Sequence, residues 1–396
     1  MKIGIFELAP RGHPPLVEAV AQIYASIPEH EIWIITHEQA ANNLKFLASD
    51  QILLRVKRND ESYLDFFNQI KNLNLDKIFL ITFEALSKEN YAVIQAFCKM
   101  DFKIPIHLFL HNIDFWFQQN LFHKISNTLH TVQRVADIPY QLKLNFLYPS
   151  KNRSLLEMVR QSGGKFLVLS ESVAVELSKY VAPATIGVIP FSVYKTDLYD
   201  TSLDNKRLRI CIPGMISATR RDYDSILTML ERYEKDFKTT IELDLLGAFY
   251  AKEEGENVKK RVNQLIDKGF HIYAYHHWLE MNFYNEQLGK ADIILGNLHL
   301  QQGKFGQYGK TKETGILFTM IKAGKPGLLP IGYPTETALQ TSVLSFQNYD
   351  EVATIILNYL KNPNLLNNLK QNAKENALYY HPNRIYQRIE TAGKVE

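Results

Sequence analysis

The chain has 396 residues, 46% of them hydrophobic and 22% charged, with a formal net charge of +3. That length exceeds one ordinary core, so two domains are the default, and so small a net charge leaves no electrostatic footprint for nucleic acid. No apolar stretch reaches the ~18–20 residues that span a bilayer, and Cys98 and Cys211 fall in apolar runs, as buried free thiols of a reducing compartment do.

The opening MKIGIFEL reads as a strand, its apolar run being too short for a signal peptide. Six further strand-like runs follow in the first half: EIWIIT from Glu31, ILLRV from Ile52, KIFLIT from Lys77, IHLFL from Ile106, KFLVL from Lys165 and IGVI from Ile186. They are nearly continuous in apolar character, as strands covered on both faces are. Helical periods separate them; Leu16, Val20, Ile23 and Tyr24 share one helix face. Alternating β and α elements imply doubly wound parallel sheets.

Two loops of this half sit at strand ends, where such folds bind ligands. Arg11-Gly12-His13 follows the first strand without a G-x-G-x-x-G fingerprint. His111-Asn112-Ile113-Asp114 follows IHLFL directly. The segment from Lys124 to Lys165 holds seven Lys or Arg against two acids, which predicts a weak contact with an anionic membrane surface. The β/α rhythm pauses at Phe191–Lys206, so a first domain of 1–195 and a second of 196–375 are expected, with 376–396 a helix packing back on the first.

In the second half the strand-like runs are LRICI from Leu208, IELDLL from Ile241, HIYAY from His271, ADIIL from Ala291 and GLLP from Gly327. After LRICI come Pro213-Gly214 and then Arg220-Arg221 at the mouth of a helix. Two guanidiniums oppose the helix dipole there, unless a bound anion such as a diphosphate offsets them. Asp222-Tyr-Asp224 matches a D-x-D metal pattern, but residues i and i+2 of a helix point about 200° apart, so no metal is expected. Tyr275, with Tyr273 as the other choice, is placed to stack on a base. The stretch YGKTKETGILFTMIKAGKP predicts a helix capped by Thr311 or Thr314, with Gly315 in its first turn and Gly324 closing it. Gly315 admits a ligand close to open backbone N–H groups, Lys310 or Lys312 adds a cation, and Glu313 offers an acceptor for sugar hydroxyls.

These features, in this order, resemble the family 4 glycosyltransferases of the GT-B fold, over most of the chain. ADIILGN…ETGILFTMIKAGKP is similar to that family's donor-site segment. PGMISATRRDY is similar to its glycine turn, with Arg220 on the family's lysine and Met215 on its arginine. LFLHNIDFW resembles the strand carrying its histidine, with His111 matching. The family pairs two glutamates eight residues apart; those positions fall here on Thr311 and Thr319, with Glu313 the nearest acid to the first.

The resemblance implies two Rossmann-like domains facing a central cleft, the first on the acceptor side and the second on the donor side. It implies a cytoplasmic transferase, working at the inner membrane face, that moves a sugar from a nucleotide-diphosphate sugar to a glycan or lipid-linked acceptor, with retention and without a metal or other cofactor. Glu313 and His111 would be catalytic; Gly12, Gly214, Arg220, Arg221, Tyr275, Lys310, Thr314 and Gly315 would bind the donor. A non-catalytic scaffold of the same fold and a nucleotide-sugar epimerase are the alternatives.

Overall fold

In a computed structural model, residues 1–9, 12–84, 88–117, 149–198, 207–251, 253–301 and 306–391 are described. Two parallel sheets organise them. The first has seven strands: β1 (Lys2–Glu7), β2 (Glu31–His37), β3 (Ile52–Lys57), β4 (Lys77–Leu80), β5 (Ile106–Phe109), β6 (Phe166–Val168) and β7 (Ile186–Val188). Their spatial order is β3-β2-β1-β4-β5-β6-β7. The second has six: β8 (Leu208–Pro213), β9 (Ile241–Ala248), β10 (Ile272–Tyr275), β11 (Ile293–Leu295), β12 (Gly327–Pro330) and β13 (Val343–Phe346), in the order β10-β9-β8-β11-β12-β13. Strand order reverses between β1 and β4 and between β8 and β11, so each sheet opens a crevice beyond the carboxyl ends of those strands.

The apolar runs account for twelve of these strands. β13 is the exception: its sequence, VLSF, is half-exposed at the sheet edge and never forms a continuous apolar run. Every residue of β8 is buried, as a strand covered on both faces requires.

One apolar cluster crosses between the sheets. It joins Leu16, Val20 and Tyr24 of the first to Leu317, Phe318 and Ile321 of the Gly315–Ala323 helix, and to Tyr380, Ile385 and Ile389 near the C-terminus. The Pro382–Thr391 helix lies against the Pro14–Ala25 helix. There the Tyr24 hydroxyl donates to Glu390 Oε1 at 2.7 Å, and Lys77 Nζ reaches the same oxygen at 2.6 Å. The chain after the first sheet is tied to the second at Lys195, whose N–H donates to the Lys322 carbonyl at 3.0 Å.

Candidate functional site

The second sheet supplies a cationic wall. Gly214 follows β8 with φ +97, which an L side chain rarely adopts, and a Cβ there would meet the Arg221 guanidinium at 2.7 Å. Arg221 is buried, its recorded side-chain bond a long one of 3.4 Å to Asn297 Oδ1. Arg220 is exposed. Asp222 caps the Tyr223–Arg232 helix by accepting from Ser225 N–H at 3.0 Å, and Asp224 pairs with Arg261. Both acids are thereby engaged, and among the described residues neither Arg220 nor Arg221 has a carboxylate within salt-bridge distance. Lys312 joins them: burial, then the Arg220 charge, push its ammonium down to about 8. Lys310 is exposed at the turn closed by its N–H on the Gln307 carbonyl.

The Gly315–Ala323 helix begins beside these cations. Thr314 is its N-cap, accepting from Ile316 N–H at 3.3 Å, while Thr311 instead accepts from Gln307 N–H. Gly324 ends the helix in the left-handed region, at φ 57. Gly315 is exposed, and nothing lies within 4 Å of where its Cβ would stand. The helix therefore presents a bare amide end to the cleft.

Glu313 is committed to protein donors. Its Oε1 accepts from the hydroxyls of Ser170 at 2.7 Å and Ser172 at 3.4 Å. Its Oε2 accepts from the Tyr333 hydroxyl at 2.6 Å and from Thr314 N–H at 3.0 Å. Burial raises its carboxyl above the usual range, and these donors pull it back. Ser170 caps the Glu171–Leu177 helix of the first half, so Glu313 ties the two halves together. Beside it the Glu336 carboxylate accepts from Glu171 N–H at 3.1 Å on each oxygen, and the Glu171 carboxylate accepts from Thr337 N–H at 3.2 Å. Each half thus caps a helix of the other.

The first sheet contributes a buried acid–histidine group. Glu7 ends β1 fully buried, accepting from Ala9 N–H at 3.1 Å, His13 N–H at 2.8 Å and the Thr82 hydroxyl at 2.7 Å. Burial pushes it up to about 7. A Cβ on Gly12 would sit 2.7 Å from the Glu7 carboxyl carbon, so Gly12 is small because of the acid beneath it. The His13 and His111 rings lie 4.4 Å apart, centre to centre. His111 Nε2 is 2.9 Å from the Ile81 carbonyl and therefore carries the proton, which leaves Nδ1 as an acceptor. Burial lowers His111 to about 4 and His13 to about 3, so both are neutral near pH 7. Glu84, also buried, accepts from His111 N–H at 3.3 Å and from Trp116 Nε1 at 3.2 Å. Arg11 lies outside the described residues.

Between these walls lies a cavity of about 330 Å³, lined by Pro15 and Phe191 of the first half and by Gly214, Gly315, Thr319 and Lys322 of the second, among others. Ring contacts run from His13 to Phe191 and on to the lining residue Phe318. Tyr275 is placed differently: its hydroxyl interacts with the buried Asp244 carboxyl and its ring packs on Phe283. Trp278, 86% exposed, stands at the cavity instead. The sequence reading did not single out Glu7, Glu84, Trp278, Tyr284 or Lys322. An acid closing an otherwise apolar strand was the one available signal, and it pointed to Glu7.

Two facing doubly wound sheets, joined by a cleft at their carboxyl ends and crossed by a returning C-terminal helix, define the GT-B fold. Solved structures agree. The chain is similar to sucrose-phosphate synthase from Thermosynechococcus elongatus, at 10% identity and a TM-score of 0.59, over 100% of this chain and 98% of that one. It is similar to a putative UDP-N-acetylglucosamine 2-epimerase from Listeria monocytogenes, at 12% identity and 0.56, over 99% and 95%. It is also similar to UDP-GlcNAc 2-epimerase from Neisseria meningitidis bound to UDP-GlcNAc, at 12% and 0.55, over 99% of each chain. No family model matches the sequence, and no curated protein does.

Proposed function

We propose that this chain is a glycosyltransferase that moves a sugar from a nucleotide-diphosphate sugar to a glycan or lipid-linked acceptor, retaining configuration without a metal. One observation carries the reading: Arg220 and Arg221 lack carboxylate partners among the described residues, and the Gly214 turn that packs on Arg221 lines the same cavity as the helix start at Gly315. Fixed positive charge and free N–H groups suit a diphosphate whose charge grows as the sugar departs. Lys312, or Lys310 at the exposed turn, adds to that field. With this charge fixed in the protein, a metal has no required role.

In this reading the first half, 1–195, holds the acceptor and the second, 196–375, the donor. His111 Nδ1 accepts from a hydroxyl of donor or acceptor. Glu313, with four protein donors on its carboxylate, the Thr314 N–H among them, holds the helix start in place so that the Gly315 amide faces the phosphate. Gly214 keeps the turn after β8 low enough for a phosphate to approach, and Gly12 lets its loop close over the Glu7 carboxyl on the facing wall. Titrating a panel of nucleotide sugars, followed by turnover of an Arg220→Ala, Arg221→Ala double variant, tests it. Full turnover in the double variant removes the arginines from the site, absence of transfer to any acceptor by the parent sinks the transferase reading, and no binding at all leaves a scaffold.

An epimerase is the second reading. It is supported by the raised Glu7 carboxyl beside the neutral His13 and His111, groups suited to moving a proton at a sugar carbon. Incubating nucleotide sugars without acceptor separates the two, because only an epimerase converts one into another. Among the described residues no helix is long and apolar enough to cross a membrane. Of the basic segment proposed to touch the inner membrane face, residues 118–148 lie outside the described residues. Liposome sedimentation at low and high salt tests that contact.

A further inference from the structure

Lys322 is 6% exposed, yet among the described residues its ammonium has no oxygen to donate to; its hydrogen bond is to the thioether of Met281, at 3.7 Å. A thioether is a weak acceptor, and a buried cation without a better one carries a large desolvation cost. The acid nearest to relieving it is engaged elsewhere: Glu18 holds Lys195 at 2.6 Å. Burial, then the Lys195 charge, bring Lys322 down to about 8, against the smaller upward pull of Glu18 and Asp197.

Its position gives the cost a purpose. Gly315, Phe318, Thr319 and Lys322 recur at i, i+3, i+4 and i+7, so they share one helix face, and all four line the cavity. The cavity therefore runs about 10 Å along the helix, from the amide end at Gly315 to the ammonium of Lys322. Polarity changes along the way. At the first end the open Gly315 helix start meets the Gly214 turn, which packs on the Arg221 guanidinium. Midway stand two hydroxyls, Thr319 Oγ1 and Tyr284 Oη, 3.4 Å apart. Beside Lys322 stands Met281, with Phe318 one turn back along the helix, and the apolar lining is completed by Leu279 and the exposed Trp278. Diphosphate, then sugar ring, then planar base follow the same order.

We infer that Lys322 reads the base of the donor, selecting one that turns a carbonyl oxygen toward it: uracil, thymine or guanine. An ammonium has three donors and no acceptor. It meets the O4 of a thymine-like ring or the O6 of guanine, and is met by the amino groups of cytosine and adenine as donor against donor. This inference rests on the donor-site reading above and adds the class of nucleotide to it.

Calorimetric titration of the full chain with UDP, GDP, ADP, CDP and inorganic pyrophosphate tests it, alongside Lys322→Met and Lys322→Gln. The expected result is UDP and GDP binding about ten-fold more tightly than ADP and CDP. Lys322→Met, which fills the same space without the charge, closes that gap and leaves pyrophosphate unchanged. Its melting temperature stays at or above that of the parent, because an unpaired buried cation is gone; Lys322→Gln serves should it not. Equal binding of the four nucleotides by the parent, or a preference that survives in both variants, overturns the inference while the donor site stands. Failure of every nucleotide and of pyrophosphate to bind overturns the donor site, and the inference with it.

Discussion

Arg220 and Arg221 adjoin in sequence and differ in what their loss should do. Arg220 is exposed, so Arg220→Ala should leave the melting temperature in place while lowering turnover about 100-fold, the usual effect of losing one fixed donor to a developing anion. Unchanged turnover in a steady-state assay would remove Arg220 from the site. Arg221 packs under the Gly214 turn, so its removal should disturb both folding and turnover. Glu313 makes a sharper case. All four groups on its carboxylate donate, so Glu313→Gln turns an amide N–H toward a donor and should cost about 1–3 kcal/mol of stability, read by denaturant unfolding. A stable Glu313→Gln protein would mean that the carboxylate is free in solution. At Gly12 a methyl group would strike the Glu7 carboxyl, so Gly12→Ala should destabilise by about 1–3 kcal/mol through overpacking alone.

At the scale of elements, the Gly315–Ala323 helix was legible almost residue by residue. Thr314 at the cap, the Ile316, Leu317, Met320 and Ile321 stripe and the left-handed Gly324 are all local signals, carried by spacing and by backbone chemistry. Thr314→Ala should cost about 1 kcal/mol, visible as a lower melting temperature, if the cap geometry is as described. The strands were equally readable wherever both faces are covered. β13 escaped because an edge strand need not be apolar throughout. What the chain could not disclose is pairing across long separations. Glu313 and Ser170 lie 143 positions apart, and no local pattern announces that one will hold the other. Lys322 was hidden for a related reason: in sequence it is an ordinary basic residue in the last turn of a helix, and only the packing of the two halves buries it.

For the whole molecule, buried ionisable groups set a pH profile. Glu7 and Glu84 titrate near 7 and Glu336 near 8, all raised mainly by burial from an ordinary 4.5. Above 4.5 the unfolded chain releases those protons while the folded one keeps them, so their contribution falls with rising pH until about 7–8. His13 and His107 are lowered to about 3 and His111 to about 4, again mainly by burial, from 6.5. Below 6.5 the unfolded chain takes up protons that the folded one refuses, so their contribution falls with falling pH. Between 4.5 and 6.5 the two trends oppose each other; below 4.5 only the histidines act, and above 6.5 only the carboxylates. The melting temperature should therefore form a plateau near pH 4.5–6.5 and decline on either side. A maximum at pH 8 in a scanning series would show that these carboxyls are ionised when folded.

The mutual capping of Glu171 and Glu336 has a consequence for traffic through the cleft. Parting the halves breaks both reciprocal bonds at once, on Glu171 N–H and on Thr337 N–H, so separation resembles a hasp springing rather than a gradual yawn. Because Glu336 resists ionisation while enclosed, raising the pH toward 8 should weaken the hasp and soften the resting molecule and, on the proposed donor-site reading, hasten the release of nucleotide.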